Sequence, residues 1–94
     1  MMASMRTLIE ERLVGDFAPI RLDVIDESAA HAGHAGHREG GESHFRVRIV
    51  SEAFAGLGRV DRHRRINASL AAAFERGLHA LAIEAAAPGE PTRW

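Results

Sequence analysis

The sequence predicts an α+β fold: a single small domain in the order α-β-β-α-β, with a three-stranded mixed sheet and its helices on one face. Three observations predict it. Apolar residues recur at helical spacing near residue 5 and again after residue 59, three short segments alternate apolar with polar residues, and a helix separates the last two of them. Residues 1–94 are read as one domain, with a core over about 5–87, a flexible His/Gly-rich loop over 28–42 and an irregular tail over 88–94. Size supports this. Of the apolar residues 17 are alanine, and only 26 are bulky enough to build a core, which suits one domain and rules out two.

Each element has its own signal. Met5, Leu8, Ile9 and Leu13 lie at helical spacing over residues 5–14, with Ser4 as N-cap and Gly15 as the expected stop. Ile20, Leu22 and Val24 alternate with Arg21 and Asp23, a half-buried strand running to about Asp26. Residues 28–42 hold His31, Gly33, His34, Gly36, His37, Gly40 and Gly41 without a bulky apolar side chain, the composition of a loop. From His44, the residues Phe45, Val47 and Ile49 alternate with Arg46 and Arg48, a second strand that closes a long-looped hairpin. A helix over 59–76 follows, with Val60, Ile66, Leu70 and Phe74 on one stripe and Gly77 as its stop. At about 100° per residue His63 falls within that stripe, and is assigned to packing, while Arg62, Arg65 and Arg76 share the opposite side. A third strand over 79–86 places His79, Leu81 and Ile83 on one face.

A helical crossover between the second and third strands favours parallel pairing. The hairpin loop enters the second strand at its start, so the start of the third strand, His79, is expected at the loop's end of the sheet. His44 receives no role at this stage.

Composition narrows the chemistry. With no cysteine, disulfides and thiolate metal sites are excluded, and any metal must be met by imidazole or carboxylate, or by sulfur from a partner. A formal charge of −1 is far from the basic balance of a dedicated nucleic-acid binder, although all twelve basic residues are arginine. Neither a signal peptide's apolar stretch nor a run of roughly 18 apolar residues occurs, so a cytoplasmic protein with no membrane partner is expected. No hydrolase, zinc-protease or phosphate-loop motif is present, and no enzyme activity is expected. His31-x-x-His34-x-x-His37 is the most conspicuous local pattern; its spacing reads either as a solvated loop or as imidazole ligands. Arg46, Arg48, Arg62, Arg65 and Arg76 read either as a solvated face balanced by acids or as ground for phosphates.

Five segments together carry a family resemblance. Val24-Ile25-Asp26-Glu27-Ser28, Glu42-Ser43-His44-Phe45-Arg46-Val47, Val50-Ser51-Glu52-Ala53-Phe54-Ala55-Gly56, Arg62-His63-Arg64 and Leu78-His79-Ala80-Leu81-Ala82-Ile83 follow one another in the order and spacing of the BolA family. The chain resembles that family over roughly residues 5–91. The resemblance implies a class II KH-like fold and two activities. In one, a BolA-like protein pairs with a monothiol CGFS glutaredoxin and shares a [2Fe-2S] cluster with it, in iron-sulfur trafficking or iron homeostasis. The partner and its glutathione would supply the thiols. This chain would supply His79 and a loop histidine, by position His31, with His34 in reserve, and the isolated chain would hold no cluster. In the other, a BolA-like protein binds DNA as a regulator of morphology and stress genes, through the helix bearing Arg62, Arg64 and Arg65.

Overall fold

The computed structural model describes residues 4–28 and 44–94. The observed order is α1 (Met5–Phe17), β1 (Arg21–Asp26), β2 (His44–Val50), a 3-10 turn over Glu52–Phe54, α2 (Arg59–Ser69), α3 (Ala71–Glu75) and β3 (Ala80–Ala86). The sheet has the order β1-β2-β3. β1 pairs antiparallel with β2, and β2 pairs parallel with β3 in the register His44↔Ala80 to Val50↔Ala86. Parallel pairing is what the helical crossover predicted. The histidine-rich segment expected as a loop, with His31, His34 and His37, lies outside the described residues.

Alternation on β2 sets the layers. Phe45, Val47 and Ile49 are essentially inaccessible and meet Ile9 and Leu13 of α1 and Ile66 and Leu70 of the second helical region in one core. Arg46 and Arg48, on the other face, remain half-exposed.

α1 is capped as expected, Ser4 Oγ accepting the Thr7 N–H at 3.1 Å. It does not stop at Gly15. One more turn brings Phe17 onto the Met5, Ile9 and Leu13 stripe, where its ring lies 5.0 Å from that of Phe54. That burial outweighs the modest cost of a glycine inside a helix. The helix ends instead at Ala18, in the left-handed region with φ 43°, directly before Pro19. Ser51, 1 % exposed, fixes this end by donating its hydroxyl to Phe17 O at 2.6 Å.

The single helix expected over 59–76 is two. In an unbroken helix the Ala73 N–H would reach Ser69 O. Here Arg12 Nε of α1 donates to Ser69 O at 3.2 Å, and Ala73 N–H turns to Leu70 O. Ser69 Oγ also donates to Asp16 Oδ2 at 2.5 Å, so a polar clamp from α1 holds the break. The break changes the buried face. Val60 and Phe74, expected in the core stripe, are 61 % and 38 % exposed, and Ala73 is buried in their place. Among the described residues no helix is long and apolar enough to cross a membrane.

Candidate functional site

His79 is exposed and immediately precedes β3, whose first residue, Ala80, is in register with His44. The two imidazole rings lie 5.2 Å apart, tilted by 37°. Sequence reasoning gave His44 no role, yet the signal was available. The argument that parallel pairing puts the start of β3 beside the start of β2 applies to His44 as much as to His79.

The segment carrying His31 leaves from Ser28 and returns at His44, and its base is pinched shut. Glu27 N–H donates to His44 O at 2.8 Å, and His44 N–H donates to Ser28 Oγ at 3.1 Å. Ser28 N–H in turn donates to Asp26 Oδ1 at 2.8 Å, a side-chain-closed turn of the kind Asp favours, and Ser28 is 1 % exposed. The departure and return points of residues 29–43 are thereby held beside the His44–His79 pair.

Of the arginines read either as an acid-balanced face or as ground for phosphates, Arg46, Arg48 and Arg62 are paired with carboxylates. Arg46 Nε donates to Glu27 Oε2 at 2.9 Å and its Nη1 to Glu84 Oε1 at 2.9 Å, while Arg48 Nε donates to Glu84 Oε2 at 2.7 Å. The Glu27 hydrogen bond, ahead of charge attraction, raises the Arg46 pKa. Arg62 is committed too. Its side chain is 11 % exposed, its Nε donates to Leu57 O at 2.9 Å, and its Nη1 and Nη2 fork onto Glu90 at 2.5 and 2.8 Å. The helical projection that set Arg62 facing solvent could not see Glu90, which returns to it from beyond β3. Arg64 and Arg65 are exposed. His63, assigned to packing, is only half-buried; burial first, then the charge of Arg59, lowers its pKa.

In donor chemistry this end of the sheet offers nitrogen and no sulfur. Among the described residues no three His, Asp or Glu side chains converge as a metal site, so the His44–His79 pair can be at most part of a ligand set.

The family model for BolA-like proteins matches residues 13–90. The chain is 59 % identical over 92 residues to an uncharacterized protein in the cobS 5′ region of Sinorhizobium sp., covering 97 % of this chain and 99 % of that one. It is 47 % identical over 76 residues to the DNA-binding transcriptional regulator BolA of Vibrio cholerae, covering 81 % and 68 %. Among solved structures it is similar to the BolA domain of SufE1 from Arabidopsis thaliana, with a TM-score of 0.84, 43 % identity, and coverage of 97 % and 100 %. Longer relatives also match: the chain spans 23 % of the Arabidopsis SufE-like protein 1.

Proposed function

The chain belongs to the BolA family, and from that premise we propose that it is the thiol-free half of a heterocomplex with a monothiol glutaredoxin, co-ligating a [2Fe-2S] cluster. In this reading His79 is one ligand, His31 the second and His34 the reserve. The glutaredoxin cysteine and its glutathione complete the set, and the complex serves iron-sulfur trafficking or iron homeostasis. The observation that supports it is the exposed His79, placed at the sheet end where the pinched base of the 29–43 segment opens. Two imidazoles in place of two thiolates leave a cluster less negative and raise its potential, as in Rieske centres. Protonated imidazole cannot ligate, so retention weakens as pH falls.

Anaerobic co-reconstitution with a monothiol glutaredoxin tests this, read by absorption and circular dichroism. His79→Ala and either His31→Ala or His34→Ala should alter the spectrum, and the chain alone should hold no cluster. A stable cluster on the lone chain, or a spectrum unchanged from pH 8 to pH 5, refutes histidine co-ligation.

A second reading, DNA binding, is supported by the regulator name of the Vibrio relative and by the exposed Arg64 and Arg65. It predicts salt-dependent, sequence-selective promoter binding that Arg64→Ala plus Arg65→Ala weakens and that His79→Ala leaves intact. Footprinting without sequence preference at moderate salt removes it.

A further inference from the structure

A groove of about 560 Å³ runs along the second half of β3, remote from His79. Its floor is the unbroken run Ile83–Ala86, one wall is Arg59, Arg62 and His63 of α2, and the other is the tail from Glu90 to Trp94. Successive strand residues point their side chains to opposite faces, so a floor of four consecutive residues is a strand edge rather than a face. β3 is an outer strand of the described sheet.

The edge is polar and mostly open. Ala86 O accepts from Ser51 N–H on the β2 side, so the peptide groups of Ile83 and Ala85 point the other way, into the groove. Among the described residues only the Arg62 guanidinium reaches them, with Nη1 3.4 Å from Ala85 O. The charges lining the groove are unequal in commitment. Glu84 is held by Arg46 and Arg48, and Glu90 by Arg62. Arg59 and Arg93, both exposed, make no ion pair with any described residue.

We propose that this groove docks an extended acidic segment of a partner protein, which adds to β3 as a fourth strand and sets its carboxylates against Arg59 and Arg93. Main-chain hydrogen bonds to Ile83 and Ala85 supply a sequence-tolerant anchor, and the two free guanidinium groups select for acidic side chains. The groove centre lies about 20 Å along the strand from His79 at the usual rise per residue, so both sites can be filled together. The proposal does not depend on the cluster reading.

Trp94, the chain's single tryptophan, stands in the groove wall and is a built-in reporter. The probe is an end-blocked octapeptide of alternating glutamate and valine, titrated into the full chain by Trp94 fluorescence and by the amide resonances of Ile83 and Ala85. Saturable binding with shifts at both amides is expected. Arg59→Glu with Arg93→Glu, both at exposed positions, should weaken it by about tenfold or more. A lysine-valine octapeptide should bind far less. The same acidic peptide N-methylated at alternate amides keeps its charge but cannot pair as a strand, and should lose binding. Equal binding of the N-methylated peptide overturns strand addition. Displacement of the peptide by an oligothymidylate of equal charge, binding as tightly, overturns a peptide in favour of any polyanion. No response at either amide up to millimolar peptide overturns the site itself.

Discussion

Replacing Arg62 by methionine should destabilise the fold by about 2 kcal/mol at pH 7. Methionine keeps an unbranched apolar stem in a position 11 % exposed and removes only the guanidinium. The bond to Leu57 O, 2.9 Å and part-buried, is charge-assisted, a class worth about 1.5–3 kcal/mol; that to Ala85 O, at 3.4 Å, adds little. Glu90 is exposed, so its ion pair is screened by solvent and adds a small further part, the part that varies with pH. For a domain of this size about 2 kcal/mol lowers the melting temperature by about 10 °C, measured by thermal and urea unfolding followed by circular dichroism. Arg62→Lys should recover little, because an ammonium cannot serve Leu57 O and both Glu90 oxygens in one planar fork. The pH dependence is a second signature. Arg62, first by its hydrogen bond, and the Ala87 N–H hold the Glu90 carboxyl at about 2, below its ordinary 4.5. A carboxyl depressed in the fold stabilises fully above 4.5, and the contribution is lost as pH falls toward 2. The gap between wild type and Arg62→Met should therefore narrow over that interval, and Glu90 in the variant should titrate closer to 4.5. A variant within about 0.5 kcal/mol of wild type at pH 7, the range of an ordinary surface change, refutes a structural role for Arg62.

Ser28→Ala removes the acceptor of the His44 N–H at the pinched base and should cost about 1–2 kcal/mol; faster hydrogen exchange at the His44 amide distinguishes opening of the pinch from general loosening. Phe54→Ala empties a fully buried ring site packed against Phe17 and should cost about 3–5 kcal/mol by urea unfolding, with Phe54→Leu costing clearly less. His63 should titrate below 6.5 in an NMR pH series, and Arg59→Gln should move the midpoint upward by removing a like charge; the depressed value costs nothing above 6.5, where the ring is neutral in both states, and costs stability as pH falls below it.

How much was legible follows from where the controlling contacts lie. The element order and the parallel β2–β3 pair come from local alternation and from a crossover helix, both visible along the chain. The break at Leu70 is set by Arg12 and Ser69, 57 residues apart, and no periodicity within residues 59–76 carries that information. Gly15 looked like a stop because glycine commonly is one, whereas the burial of Phe17 one turn later decided the matter. The same distinction separates the site residues. His79 was placed by topology, and the structure sets it at the expected end of the sheet. Arg62 was judged by its side of a helix, and its role is decided by Glu90, 28 residues further on. His44 was missed although parallel pairing already puts the start of β2 beside the start of β3; the register with Ala80 comes from the structure.

Both proposals rest on the direction of β3. Were β3 antiparallel to β2, its first residue would pair with the far end of that strand. His79 would then stand about 20 Å from the points where residues 29–43 leave and return. His31, three residues beyond Ser28, could then span only about half of that distance. Parallel pairing instead gathers His44, His79 and the pinched base at one end, and sends the later residues of β3 toward α2 and the tail. The chain carries six histidines and no cysteine, so the donors it can gather there are imidazole and carboxylate. In the proposed complex sulfur is what the partner would bring, to the His79 end, and the β3 edge is left for the proposed acidic segment.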